Sequence, residues 1–175
     1  MLILFNKPFG VICQFSPSGN KSTLKQYIDF PNVYPAGRLD TGSEGLLLLT
    51  DNGDLQARIS NPRYKLTKTY WAQVEGIPDE ENLSLLRSPL DLGDFVTQPA
   101  EARILPAPSI WPRNPTIRFR KNIPTTWLEI SIHEGKNRQV RRMTAKIGLP
   151  TLRLVRVAIG DWKLNSLLPG QWQAL

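Results

Sequence analysis

The sequence predicts an α+β fold with a mixed, largely antiparallel central sheet in two lobes, flanking helices and a cleft between the lobes. Apolar segments of strand length recur along the chain, and amphipathic segments of helical period stand between some of them. They follow one another without the regular strand–helix–strand rhythm of a parallel sheet. The length of 175 residues fits one domain with a sizeable core.

Turn residues bound the predicted elements of the first half. The four leucines at residues 46–49 end at Asp51-Asn52-Gly53, which predicts a short buried strand. A helix over residues 54–59 is predicted to end before Pro62, because proline does not continue a helix. The remaining elements predicted here are strands over residues 2–6 and 11–15, around a turn at residues 7–10, and a short helix over residues 23–28.

The second half combines alternating segments with two helices. Proline in the first turn, acidic residues after it and a final arginine predict a helix over residues 78–87. Another helix is predicted to begin at a cap on Asn137 and to end before Gly148. Residues 106–125, rich in proline and tryptophan, are predicted to form a long loop, either functional or a surface insertion without a role. The predicted strands cover residues 70–74, 128–132 and 152–159.

A single cysteine and a single histidine restrict the chemistry. Cys13 alone forms no internal disulfide, and His133 alone excludes multi-histidine metal sites and weakens any Ser-His-Asp proposal. No phosphate-binding loop or dinucleotide motif occurs, so we expect neither a metal nor a cofactor. The apolar start is too short for a signal peptide, and no segment is long enough to span a membrane, which indicates the cytoplasm.

The positive charge lies in the second half. Residues 1–101 hold nine Lys or Arg and twelve Asp or Glu, whereas residues 102–175 hold thirteen and three, so the net charges are −3 and +10. Between Lys136 and Arg156 there are seven cations and no anion. This asymmetry indicates a polyanionic partner, and nucleic acid is favoured over membrane because no long interfacial amphipathic helix occurs.

Three glycines surround an arginine and two acids in residues 37–45. Glycine permits a tight turn and close approach to a ligand, so Asp40 would lie in a loop held by the strand that follows. In one interpretation Asp40 is a nucleophile or base that Arg38 or another arginine keeps ionised. In the other, Asp40 caps a turn and Arg38 is solvated. This motif alone favours the second interpretation, because aspartate is common in turns.

The predicted helix after Asn137 carries an apolar face and a basic face. Val140, Met143, Thr144 and Ile147 fall at i, i+3, i+4 and i+7, which defines the buried side. Arg141 lies at the boundary, where it could reach a carboxylate in a cleft or remain on a solvated basic face. The solvent-facing cations of this helix, which we expect to attract phosphates, are Arg138, Arg142 and Lys146.

Four motifs together resemble the RsuA-type pseudouridine synthases. They occur in the order of that family and span nearly the whole chain, and they are specific together although not singly. The motifs are Lys7-Pro8-x-Gly10, then Gly37-Arg38-Leu39-Asp40 with Ser43-Glu44-Gly45-Leu46-Leu47, then Lys68-Thr69-Tyr70, and finally Glu134-Gly135-Lys136-Asn137-Arg138-Gln139-Val140-Arg141-Arg142-Met143.

The resemblance implies that the protein isomerises a uridine of 23S ribosomal RNA to pseudouridine, without metal or cofactor. It assigns Asp40 as the catalytic residue. Tyr70 would pack on the target base, and Arg141 would pair with Asp40. Glu44 would then order the loop, and the expected cleft would be catalytic. The cations expected to bind the substrate RNA are Arg38, Lys136, Arg138, Arg142, Lys146, Arg153 and Arg156.

Many members of that family begin with a small RNA-binding domain of the S4 type, whereas the first strand predicted here starts at the N-terminus. We therefore expect a single catalytic domain over residues 1–175, without an S4-type domain, acting as a monomer on free RNA or on an assembling particle. Other hypotheses remain open. They are a non-catalytic ribosomal RNA-binding module, a ribosome-assembly factor, and a hydrolase of glycosidic bonds that uses Asp40 and Glu44.

Overall fold

The structure, a computed structural model, describes residues 1–175 and contains nine strands and three α-helices. None of the helices has the length and apolar character that a membrane-spanning helix requires. The strand order in the sheet is β5-β6-β4-β7-β3-β1-β9, with β2 on β3 and β8 on β7. The elements are β1 (Leu2–Lys7), β2 (Tyr34–Pro35), β3 (Glu44–Thr50), α1 (Gly53–Ser60), β4 (Lys68–Glu75), α2 (Glu80–Leu86), β5 (Glu101–Leu105), β6 (Thr125–Ile132), α3 (Gln139–Lys146), β7 (Thr151–Ile159), β8 (Trp162–Lys163) and β9 (Trp172–Ala174).

The chain divides into two compact units, which agrees with the predicted lobes; the cleft stays a prediction. Unit 1 comprises Met1–Leu66 and Arg156–Leu175. Its central strand β1 pairs antiparallel with β3 and with β9, and all six β1 residues are buried. The unit 1 core includes Phe5, Leu39 and Leu47. Burial of β3 along its whole length follows from the continuous leucine run, which leaves no polar face for solvent.

Unit 2 comprises Thr67–Val155. Strand β6 pairs antiparallel with β4 and with β5. Helix α3 packs Val140 and Met143 into a core that also contains Ile130, Leu128 and Tyr70. The predicted apolar face of α3 is therefore confirmed for Val140 and Met143, and Thr144 is also fully buried.

Two predicted local structures are wrong. Residues 11–15 do not form a strand: Ile12 makes only an isolated bridge to Thr23, and the carbonyl of Val11 accepts a hydrogen bond from the Lys7 ammonium instead of a strand partner. Asn137 does not cap α3; the capping position is Arg138, in the left-handed region at φ 54°, with no side-chain cap.

Other elements differ in extent. The helix predicted over residues 23–28 is a single 3₁₀ turn, Leu24–Gln26, capped by the side chain of Thr23. Strand β5 was not predicted, because its polar residues alternate with only one buried side chain, Ala102. The predicted long loop is confirmed, since no helix or strand occurs between Leu105 and Thr125. The loop is held by Arg153, whose guanidinium donates to the carbonyl of Trp111 at 2.9 Å.

Candidate active site

The segment of residues 37–45, called the Asp40 loop below, lies in unit 1, and its last two residues, Glu44 and Gly45, begin β3. Its first glycine, Gly37, has φ 84°, a backbone conformation that strongly favours glycine. Leu39 is only 5 % exposed and anchors the loop in the core. A turn follows in which the amide of Ser43 donates to the carbonyl of Asp40 at 3.0 Å. Asp40 itself is half-buried, so its carboxylate lies on a rigid support at a partly accessible position.

The two acids of the loop occupy different environments. Glu44 is 2 % exposed, whereas Asp40 retains partial access to solvent. A group that acts on a large substrate must be reachable, so Asp40 is the better candidate for chemistry. The burial of Glu44 agrees with the predicted role of that residue in ordering the loop.

Lys7 is a buried cation beneath this loop. Its side chain is completely inaccessible, at the end of the buried strand β1. The ammonium donates to the carbonyls of Val11 at 2.8 Å and Pro8 at 2.9 Å, with a longer contact of 3.4 Å to Thr41. The amide of Gly10 also donates to Thr41, at 2.8 Å. The turn after β1 and the Asp40 loop are therefore joined through one carbonyl.

The Lys7 ammonium interacts electrostatically with other charged groups of the site. Burial lowers the pKa of the Lys7 ammonium from 10.5 to about 8. The charges of Cys13, Glu44 and Asp40 raise this pKa, and the positive charge of Arg156 lowers it further. The candidate catalytic carboxylate and Arg156 therefore both interact electrostatically with the buried Lys7 ammonium.

Arg156 is the second buried cation and is 4 % exposed. Its Nε donates to the carbonyl of Leu46 at 2.9 Å, and a terminal nitrogen donates to the carbonyl of Arg38 at 3.2 Å. One guanidinium therefore binds the backbone on both sides of Asp40. The prediction that Arg156 contacts RNA stays untested, and in this structure its side chain is occupied by backbone contacts.

The other two predicted catalytic residues lie in unit 2. Tyr70 is on β4 opposite Ile130, and it is 9 % exposed as a member of the unit 2 core. Arg141 is half-buried on α3, in agreement with its predicted boundary position. Their assigned roles toward the base and toward Asp40 remain predictions.

Of the seven predicted RNA-binding cations, four are exposed and three are buried or half-buried. Arg38, Lys136, Arg138 and Lys146 are exposed, as a phosphate-binding surface requires. Arg153 is 5 % exposed, and its guanidinium lies 5.8 Å from the centre of the Trp111 ring as well as bonding to its carbonyl. Arg153 therefore anchors the long loop rather than lying open to solvent.

Arg142 differs from the other cations of α3. It forms an ion pair with Asp94, donates to the carbonyl of Leu92 at 3.1 Å and stacks 5.4 Å from the centre of the Phe95 ring. The hydrogen bond from Arg142 lowers the pKa of the Asp94 carboxyl and raises that of Arg142. Lys136 lies 5.7 Å from the same ring. No local sequence pattern indicates this pair, because the two residues are 48 positions apart.

Comparison with known proteins identifies the class. A family described as RNA pseudouridylate synthase matches residues 1–146, and the chain belongs to this family. It is therefore an RNA pseudouridine synthase, an isomerase, and the family and enzyme predictions are confirmed. A solved structure described as a pseudouridylate synthase superimposes with a TM-score of 0.82 at 29 % identity, covering 99 % of this chain and 69 % of the other. This match confirms the α+β fold class.

The similar curated proteins carry a more specific name. Ribosomal large subunit pseudouridine synthase E of Xanthomonas axonopodis pv. citri is 59 % identical over 172 residues, which cover 97 % of this chain and 90 % of that protein. The protein of the same name from Vibrio parahaemolyticus is 54 % identical over 174 residues, covering 99 % and 73 %. The similarity thus includes both units.

Proposed function

We propose that this enzyme converts one uridine of the large-subunit (23S) ribosomal RNA to pseudouridine, with Asp40 as the catalytic carboxylate. The observation that supports the substrate is the high identity, over nearly the whole chain, to proteins named for the large ribosomal subunit. The observation that supports Asp40 is its partly accessible position on a loop whose backbone is held by two buried cations.

The reaction is an isomerisation with a simple atom balance. The C1′–N1 bond breaks, the uracil turns, and a C1′–C5 bond forms, while the proton on C5 is lost and N1 gains one. A carboxylate can add to C1′ as a nucleophile, or it can remove the C2′ proton to give a glycal. Both routes remain open for Asp40. Either requires an ionised carboxylate held at a fixed distance from the sugar.

Tyr70 and Arg141 complete the proposed catalytic set. An aromatic ring against the uracil would retain the base after the glycosidic bond breaks. A guanidinium can pair bidentately with a carboxylate and keep it ionised. The target base must leave its stack before reaction, which costs a few kcal/mol in a duplex and less in a loop. Contacts between exposed cations of α3 and the RNA phosphates would offset this cost.

In vitro modification of a large-subunit RNA transcript tests the proposal. Asp40→Asn should bind the transcript normally and form no pseudouridine, because the amide is neither nucleophile nor base. Asp29→Asn is the matched control, since Asp29 is an exposed loop carboxylate in the same unit, and it should retain full activity. Normal product formation by Asp40→Asn would overturn the catalytic assignment.

The same assay separates the other hypotheses. An isomerase leaves the mass of the RNA unchanged, whereas a glycosidase releases free uracil. RNA binding by the wild-type protein without any pseudouridine or free uracil would favour a non-catalytic binding module. Rescue of ribosome assembly by an inactive Asp40 variant would reveal an assembly role beside the catalytic one.

We also propose that the enzyme acts as a monomer in the cytoplasm, on free RNA or on an assembling particle. Residues 1–175 would then form one catalytic domain. The net charge of +7 supports binding to RNA through phosphates. Sedimentation of the enzyme with and without the transcript measures the stoichiometry.

A further inference from the structure

We propose that Arg156 is a positioning residue for the reaction: its buried guanidinium fixes the Asp40 loop and thereby the catalytic carboxylate. This inference rests on the proposed catalytic role of Asp40. It assigns Arg156 a role through the protein backbone, distinct from the RNA contact expected of it. Lys7 assists by holding the carbonyl of Thr41 in the middle of the loop.

The contacts of Arg156 have a specific geometry. The two carbonyls that it binds belong to Arg38, two residues before Asp40, and Leu46, six residues after it. The planar guanidinium presents its donors in a fixed fork, so the two acceptors are held in a defined relation. The Asp40 loop therefore cannot shift at one end without losing a charge-assisted hydrogen bond.

Gly45 shows how closely β7 and the Asp40 loop pack. Gly45 has φ 107°, and a Cβ atom added there would lie 2.2 Å from the carbonyl oxygen and 2.8 Å from the amide nitrogen of Arg156. Any larger residue would displace one of these backbones. The glycine of the Ser43-Glu44-Gly45 motif is thus explained by the approach of Arg156, the same residue that binds the loop through its side chain.

Burial of two neighbouring cations lowers the stability of the fold, so a purely structural role does not explain Arg156. Arg156 and Lys7 are both buried cations, and the charge of Arg156 disfavours the ammonium of Lys7. The remaining terminal nitrogen of Arg156 is buried without a hydrogen-bond partner. An apolar residue would avoid both penalties. The presence of a guanidinium here is explained if the position of Asp40, rather than stability, depends on it.

The test measures kcat and KM with a large-subunit RNA transcript for Arg156→Lys and Arg156→Gln. Arg156→Lys keeps the charge and loses the fork, and Arg156→Gln loses both. Arg87→Lys is the matched control, because Arg87 also donates to a backbone carbonyl, that of Ala102 at 2.9 and 2.7 Å, but lies outside the Asp40 loop. Circular dichroism gives the folded fraction of each variant, and kcat is expressed per folded molecule.

We expect kcat of both Arg156 variants to fall roughly 100-fold, because a displacement of about 1 Å at a reacting group has an effect of this size. KM and RNA affinity should stay near the wild-type values, and Arg87→Lys should retain wild-type kcat. Gly45→Ala, which perturbs the same contact from the loop side, should show the same loss of kcat, whereas Gly19→Ala, at another positive φ without close neighbours, should not.

A wild-type kcat per folded molecule in Arg156→Lys or in Gly45→Ala would overturn the inference. So would an increase in KM with unchanged kcat, which would indicate direct contact with RNA instead. Asp40→Asn is assayed in parallel. If it is inactive while Arg156→Lys is fully active, only the positioning role fails; if Asp40→Asn is active, the proposed catalytic role fails as well.

Discussion

Replacing Lys7 with methionine should change how stability depends on pH. Burial lowers the pKa of Lys7 to about 8 in the folded state, whereas an unfolded lysine titrates near 10.5. Between these values the unfolded chain binds more protons than the folded chain, so the stability of the wild-type protein gains from rising pH. Below pH 8 the ammonium is charged in both states, and its burial weighs fully against folding.

The magnitude follows from the two pKa values. The full penalty is about 3.4 kcal/mol, from 1.36 kcal/mol per pKa unit. Of this, about 1.4 kcal/mol is relieved between pH 7 and pH 9, where the folded lysine becomes mostly neutral. The hydrogen bonds from Lys7 to Val11 and Pro8, each about 1.5–3 kcal/mol for a charged donor, offset the penalty at pH 7.

Urea unfolding followed by circular dichroism at pH 7 and pH 9 measures this effect. The free energy of unfolding of the wild-type protein, relative to that of Lys7→Met, should rise by about 1.4 kcal/mol between the two pH values. Lys25→Met is the control, since Lys25 is an exposed lysine of the same unit. Parallel pH profiles for wild type and Lys7→Met would refute the assignment of a buried, charged Lys7.

Three further predictions concern the RNA and the proposed catalytic pair. Arg141→Lys should lose roughly 100-fold in kcat with RNA binding retained, because an ammonium cannot reproduce the bidentate fork; unchanged kcat would contradict the pairing. Asp94→Asn frees Arg142 from its ion pair and should tighten RNA binding in a gel-shift titration, and weaker binding would show that the pair preorganises the surface. The logarithm of RNA affinity should fall with the logarithm of salt concentration, with a slope of about −0.7 per phosphate contacted on a single strand; a salt-independent affinity would exclude phosphate binding by the basic surface.

Periodicity predicted most of the fold because most elements have local signals. Strand β3 was visible as a continuous leucine run, and α3 as an amphipathic segment with a buried face. The strand predicted over residues 11–15 is absent because a side-chain contact replaces strand pairing at its start: the Lys7 ammonium, four residues earlier, binds the carbonyl of Val11. Alternation alone cannot report such a partner.

In the candidate site, too, some features are visible in the sequence and others depend on contacts that no local pattern shows. Asp40 and Lys7 each stood in a recognisable motif, but no pattern indicated that the side chains of Lys7 and Arg156 are buried, because lysine and arginine are seldom fully buried. The position of Arg156 on an apolar stripe was the available signal. An arginine that continues the apolar face of Leu152 and Leu154 can line a groove or mark a bulge, and the structure shows a buried guanidinium bound to two carbonyls of the chain.

The most direct test of the central claim is to map pseudouridines in large-subunit ribosomal RNA from cells that express either the wild-type enzyme or Asp40→Asn as their only copy. We predict that one site is modified with the wild-type enzyme and unmodified with Asp40→Asn, while all other sites are unchanged. An identical map in both strains would contradict the claim that Asp40 carries out this modification.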